Sequence, residues 1–227
     1  MNTVIIDFNT RVQEVDQYFI FLESLIKETT KLAVSDSAGG YKTQNIDSEL
    51  AKTLKANSFL LLYNLVESTM RNAIEAIFDE FRSKGVCFDK IKPEIKMTVL
   101  KNLQTYLKSS TAKDIHPKIS QISIDIITTT FPEKIFSGNV DAKVIKETAK
   151  KYGFSHLTDC SKTKDGSNIL LVRETRNDLA HGNKSFEEVG RDKTIEELLE
   201  IKQEVVEYLS QILGNIQKYL KDQEYLD

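Results

Sequence analysis

The chain has 227 residues, 40% hydrophobic and 29% charged, and 31 Lys plus Arg against 34 Asp plus Glu leave a net charge of −3. That length can bury a substantial core, and that charge excludes a globally basic nucleic-acid coat while leaving room for a local basic patch. Three prolines and nine glycines are too few for a sandwich or barrel and too few for a Gly-rich or Pro-rich disordered chain, so the composition points to helices.

In chain order, Val12, Val15, Phe19, Phe21, Leu22, Leu25 and Ile26 predict an amphipathic helix from about Asn9 to Ala33. The stretch Ser35-Asp36-Ser37-Ala38-Gly39-Gly40 reads as a loop. A second helix is predicted from Asp47 or Ser48 to about Ser83, with Asp47 as N-cap, Glu49 in its first turn and Gly85 beyond its end. Its centre, Ser58-Phe-Leu-Leu-Leu-Tyr-Asn-Leu-Val-Glu67, is apolar almost all round, as in a helix buried on most sides. Pro93 suits the first turn of a helix running to about Leu107. Ile119 to Thr130 mixes Ile and Thr in a way that fits strand or helix, with helix favoured. Ser137-Gly138-Asn139-Val140-Asp141 breaks the chain. Asp141 then caps a short helix made basic by Lys143, Lys146, Lys150 and Lys151 and ended by Gly153.

Lys162 to Asn168 reads as a polar loop, followed by a helix from Ile169 to His181 that stops at Gly182. Thr194 and Glu197 form a capping box for a long terminal helix, on which Leu198, Ile201, Val205, Leu209, Ile212, Ile216 and Tyr219 recur at helical spacing. The expected fold is an all-α bundle of long antiparallel helices. It forms one domain over 1–227, with 86–166 as a helical insertion. The longest apolar run, Phe59 to Tyr63, falls far short of the roughly 18 residues that span a bilayer, so a soluble protein is expected. Cys87 and Cys160 supply no disulfide framework. With no signal-peptide pattern, the expected compartment is the reducing cytoplasm.

One segment gathers chemically useful groups: Leu171-Val-Arg-Glu-Thr-Arg176-Asn177-Asp178-Leu-Ala-His181-Gly182-Asn183. On a helical wheel Val172, Thr175 and Leu179 form a core stripe, while Arg173, Arg176, Asn177, Ala180 and His181 fall within about 140° on the other side. Arg can hold a phosphate bidentately and offset charge on a pentavalent phosphorus. His titrates near neutrality and can move a proton to or from a ribose hydroxyl or leaving oxygen, and Asn can position either partner. These groups suffice for metal-independent RNA cleavage by the 2′-hydroxyl, which would spare DNA.

Plainer readings stand beside this one. With six Arg and three His in the chain, roughly 0.24 matches to the bare spacing arise by chance. A His before a helix-ending Gly also interacts favourably with the helix C-terminus. Arg173 and Arg176 could pair with Glu174 or Glu67. Glu67, set in an apolar helix, either orients Arg176 or His181 or makes an ion pair with Arg71, four residues on. His156 and Cys160 are four apart but lack further ligands for a metal, and His116 beside Pro117 reads as a loop residue. The lysine cluster at 143–151 could steer RNA or simply be a solvated face.

Arg176-Asn177-x-x-x-His181 at a helix end, beside a long terminal helix, resembles the HEPN superfamily of helical ribonucleases and toxins. The similarity continues through Arg176 to Asp192 and the following helix, through Leu60-Leu-Leu-Tyr-Asn-Leu-Val-Glu67-Ser, and through Ser137-Gly-Asn-Val-Asp-Ala. The resemblance implies an all-helical fold and a homodimer in which two motif helices face one another across a cleft. It also implies endoribonuclease activity in a toxin–antitoxin or anti-phage setting, with RNA as substrate, an antitoxin protein as a further partner, and no cofactor or metal. The motif positions fall on Arg176, Asn177 and His181, with Glu67 and Arg173 in support. The superfamily also holds inactive members, so the alternative is a non-catalytic helical module that dimerises and binds RNA, a nucleotide or a partner protein.

Overall fold

A computed structural model describes residues 1–27, 30–35, 40–131, 135–136 and 138–227. In chain order its elements are α1 (Asn2–Lys27), a hairpin of β1 (Lys31–Ser35) and β2 (Tyr41–Asn45), and α2 (Ser48–Ser83). Then come α3 (Pro93–Ser109), α4 (Ala112–Ile115), α5 (Ile119–Ile124), α6 (Ile126–Thr129) and α7 (Ala142–Tyr152). The chain closes with α8 (Cys160–Thr163), α9 (Ser167–His181), α10 (Phe186–Arg191) and α11 (Ile195–Lys221).

The 36-residue α2 is the axle, about 54 Å long at 1.5 Å per residue. Its all-round apolar centre has the expected consequence: α1, α9, α10 and α11 all pack against it. Phe59, Leu62, Leu65, Val66, Met70, Ile74, Ile77 and Phe78 are buried along its length. Burying a side chain of that size contributes about 1.5–3 kcal/mol, so this helix is held by tertiary packing rather than by propensity. The seven apolar residues anticipated on α11 are all buried against it or its neighbours. Among the described residues the regular structure is helical apart from the hairpin and an isolated bridge between Ile91 and Leu226.

The caps explain where the long helices start and stop. The Glu49 N–H donates to Asp47 Oδ1 (3.1 Å), and the Val144 N–H donates to Asp141 Oδ1 (2.8 Å). Thr194 and Glu197 form the reciprocal box, Glu197 N–H to Thr194 Oγ1 at 3.2 Å and Thr194 N–H to Glu197 Oε2 at 2.8 Å. A second box, Ser185 with Glu188, starts α10, an element the hydrophobic pattern does not reveal. Gly190 lies so close to the Lys52 carbonyl of α2 that a Cβ there would sit 1.9 Å from its oxygen.

The first helix departs from expectation. It begins at Asn2, because Val4 and Phe8 already pack on the core, and it ends at Lys27 rather than Ala33. Residues 31–35 pair antiparallel with 41–45, Leu32 opposite Gln44 and Val34 opposite Lys42. Leu32 and Val34 alternate along Lys31-Leu-Ala-Val-Ser, and a Gly-rich link joins it to Tyr41-Lys-Thr-Gln-Asn, a hairpin signal that outweighs the helical stripe. Within the expected loop at 35–40, residues 36–39 lie outside the described residues, as does Ser137 of the expected chain break. Ile119 to Thr130 forms the two short helices α5 and α6. The expected polar loop at 162–168 instead folds as α8 and a 3-10 turn at Lys164–Gly166, so α9 starts at Ser167, two residues early.

The segment between α2 and α9 returns to the C-terminal half of α2. The Phe78 ring meets Phe131 with ring centres 4.0 Å apart and Tyr152 edge-on at 5.5 Å. Just before α7, residues 138–141 run past the middle of α2 and the face of α9 that carries the motif.

Candidate active site

α9 presents its residues much as the wheel predicts. Val172 and Leu179 of the expected stripe are buried, with Ile169, while Thr175 is only half-buried; Arg176 and Asn177 are half-buried, and Ala180 and His181 are exposed. The helix ends where Gly182 takes a left-handed conformation (φ 71°) and the Asn183 N–H reaches back to the Asp178 carbonyl at 2.8 Å. This termination fixes His181 as the last helical residue.

Arg176 is the centre of a network. Its guanidinium lies over the Tyr63 ring of α2, 3.9 Å from the ring centre. One Nη donates to Asn177 Oδ1 (2.7 Å) and the other lies 3.7 Å from Glu67 Oε2. Asn177 in turn donates to Asn139 Oδ1 at 2.7 Å. The Val140 N–H donates to Tyr63 Oη at 3.1 Å. Burial, and after it the nearby Glu67 carboxylate, push the Tyr63 hydroxyl above its ordinary pKa, against the pull of the Val140 N–H and Arg176. Glu67 does two jobs at once. Its Oε2 faces Arg176 while Oε1 accepts from Arg71 at 2.7 Å, so both pairings anticipated for it occur together.

Arg173 turns away from this cluster. It pairs with Asp141, the N-cap of α7, and reaches Glu174 at 3.2 Å, while its buried Nε has no partner among the described residues. Asn139, Val140 and Asp141 therefore form a clip with two points on the motif helix, Asn177 and Arg173, and one on α2, Tyr63 beneath Arg176. The clip is the part that sequence reasoning missed as a site. The block Ser137 to Ala142 was visible as a resemblance, but no local signal says which helix it touches.

His181 stands apart. Among the described residues it has no hydrogen-bond or ion-pair partner, and it does not line the groove that holds Arg176. That groove, about 300 Å³, lies between α2 and α9 and is walled by Tyr63, Glu67, Arg71 and Arg176, with Leu60 and Ala180 as low apolar sides. A larger depression of about 900 Å³ near Met1, Lys84 and Lys218 contains none of the motif side chains. His156 and Cys160 gain no further ligands: among the described residues no group of three or more His, Cys, Asp or Glu is placed to hold a metal ion.

An all-helical fold built on α2, with Arg176-Asn177 and His181 at the end of the helix before the last long one, defines a HEPN-type domain. The family model for MAE_28990-like HEPN domains matches residues 1–225, and the chain belongs to that family. No curated protein and no solved structure matches it. HEPN domains are often ribonucleases, often bind RNA and often dimerise, and the family points to an RNA-related or defence role in general. No helix among the described residues is long and apolar enough to cross a membrane.

Proposed function

We propose that the protein is a metal-independent endoribonuclease, acting as a homodimer with composite sites and serving as a toxin or anti-phage effector. The observation that carries this reading is the preorganised Arg176. Stacked on Tyr63 and tied to Asn177 and Glu67, it still opens onto a groove, with donors left over for an incoming phosphate.

In this reading the ribose 2′-oxygen bonds to the adjacent phosphorus as the bond from phosphorus to the 5′-oxygen breaks. The products carry a 2′,3′-cyclic phosphate and a 5′-hydroxyl. Arg176 offsets the charge that builds on the phosphoryl oxygens. His181 handles protons, since the 2′-hydroxyl must lose one and the leaving 5′-oxygen must gain one. Asn177 and Glu67 hold Arg176 in place, and Arg173 supports them by anchoring the clip. His181 is exposed rather than in the groove of its own chain, so a two-fold that brings it to the partner's groove completes the site with no further residue. The chain works as one domain, and the 86–166 insertion contributes the clip. The basic helix α7 starts at that clip, and in this reading its Lys143, Lys146, Lys150 and Lys151 steer RNA phosphates towards the groove.

The test is incubation with total RNA in excess EDTA, beside His181→Ala. Cleavage by the wild type alone, leaving cyclic-phosphate ends, is expected. No cleavage under any condition would overturn the enzyme and favour the non-catalytic module, a reading supported by the Glu67 carboxylate that already meets the charge of Arg176.

A further inference from the structure

Arg71 is the unexplained member of the groove. It faces the same space as Arg176 from the α2 side, and its side chain is 47% exposed. Its one hydrogen bond is to Glu67, which leaves four of its five N–H donors without a protein partner among the described residues. Because Arg71 and Arg176 meet opposite oxygens of one carboxylate, two guanidiniums stand a single carboxylate apart.

Arg11 reinforces them from α1, donating to Asn64 (3.3 Å), which also borders the groove. Two of the chain's six arginines thus line the groove, and a third reaches its border through Asn64. Against Arg11, Arg71 and Arg176 stand Asp7, which pairs with Arg11, and Glu67, so three positive charges less two negative leave +1 in a chain of net charge −3. A groove that is locally positive on an acidic protein concentrates polyanions. Leu60 and Ala180 keep its sides low, which leaves the arginine edges accessible.

We propose that the α2 wall of this groove is a phosphate subsite for single-stranded RNA. Arg71 holds a phosphate next to the scissile one, and Arg11 adds charge from behind. The proposal rests on the nuclease reading for its substrate. The competing account, in which Arg71 is only an i,i+4 surface partner of Glu67, leaves RNA binding untouched when Arg71 is removed.

The experiment titrates a fluorescent single-stranded RNA, 2′-O-methylated throughout so that it cannot be cut, onto the wild type, Arg71→Ala and Arg71→Lys across a salt series. Loss of one charge-assisted contact should weaken binding on the order of tenfold or more in Arg71→Ala. It should also lower the slope of log affinity against log salt by about 0.7. Arg71→Lys keeps the charge and should keep the slope with a smaller loss of affinity. If Arg71→Ala is too unstable to use, Arg71→Gln takes its place, with the same loss of affinity and slope expected and an affinity and slope equal to the wild type overturning the subsite. Equal affinity and slope in wild type and Arg71→Ala overturns the subsite, as does a wild type that binds no RNA. A wild type that binds through Arg71 yet cleaves no natural RNA sinks the nuclease reading and leaves the subsite standing.

Discussion

Arg176 and His181 are five positions apart on one helix, which separates them by about 140° around the axis and about 7.5 Å along it. Arg176 folds towards α2 over Tyr63, while His181 stays exposed at the helix end and outside the groove. In the proposed composite site the two groups that act on one phosphodiester come from two chains, and this has a numerical consequence. Arg176→Ala and His181→Ala homodimers should each lose about 10²-fold or more in kcat. In a mixed dimer one composite site carries both lesions and the other carries neither. Doubly tagged mixed dimers, purified through both tags, should recover about half the wild-type rate per dimer, and an unsorted 1:1 mixture about a quarter, since half its dimers are mixed. The assay is cleavage of a labelled RNA at saturating substrate with dimer concentration fixed by light scattering. Mixed dimers as inactive as their parents would refute the reasoning, because they would mean that each site draws both groups from one chain.

Two further outcomes follow from the packing. Gly190→Ala drives a Cβ into the Lys52 carbonyl and should cost about 1–3 kcal/mol, seen as a lower Tm at about 2–4 °C per kcal/mol for a chain of this size; unchanged melting would mean that α10 does not sit as described. Backbone N–H groups of Ser185 and Thr194 hold the carboxyls of Glu188 and Glu197 below the usual carboxylate range. A depressed folded pKa means stability that is present above the usual carboxylate range and lost as pH falls through the lowered value. The Glu188→Gln/Glu197→Gln pair should thus melt closer to the wild type in acid than at neutral pH, and an equal gap at both would refute it.

What the sequence made legible follows from range. Helix ends are set by residues within four positions of one another, so Asp47, Asp141, Gly153, Gly182 and the Thr194–Glu197 box could each be read locally. The stripe of α11 and the all-round apolar centre of α2 are likewise local patterns with one packing solution. The hairpin was masked because Val34 and Ala33 extend a helical stripe as readily as they alternate along a strand. The capping box of α10 was present in Ser185 and Glu188, but six residues give too short a period to register as a helix.

The motif was legible for the same reason, since Arg176, Asn177 and His181 share one helix. Their environment was not. Tyr63 and Glu67 lie more than 100 positions away, and Asn139 is 38 residues from Asn177. No periodicity encodes such contacts; only the fold does. That environment changes what the arginine is. A free Arg side chain carries about 2 kcal/mol of rotamer entropy that a substrate would have to freeze. Here the stack on Tyr63, the Asn177 bond and the Glu67 pair remove much of that freedom when the chain folds, before any phosphate arrives. The 3.7 Å to Glu67 is too long for a strong hydrogen bond, so the carboxylate orients Arg176 without engaging that Nη tightly, whereas Arg71 meets it at 2.7 Å. The two guanidiniums on this carboxylate are therefore held differently: Arg71 by Glu67 alone, Arg176 chiefly by Tyr63 and Asn177. Arg176, the more restrained side chain, is the one that belongs to the HEPN motif.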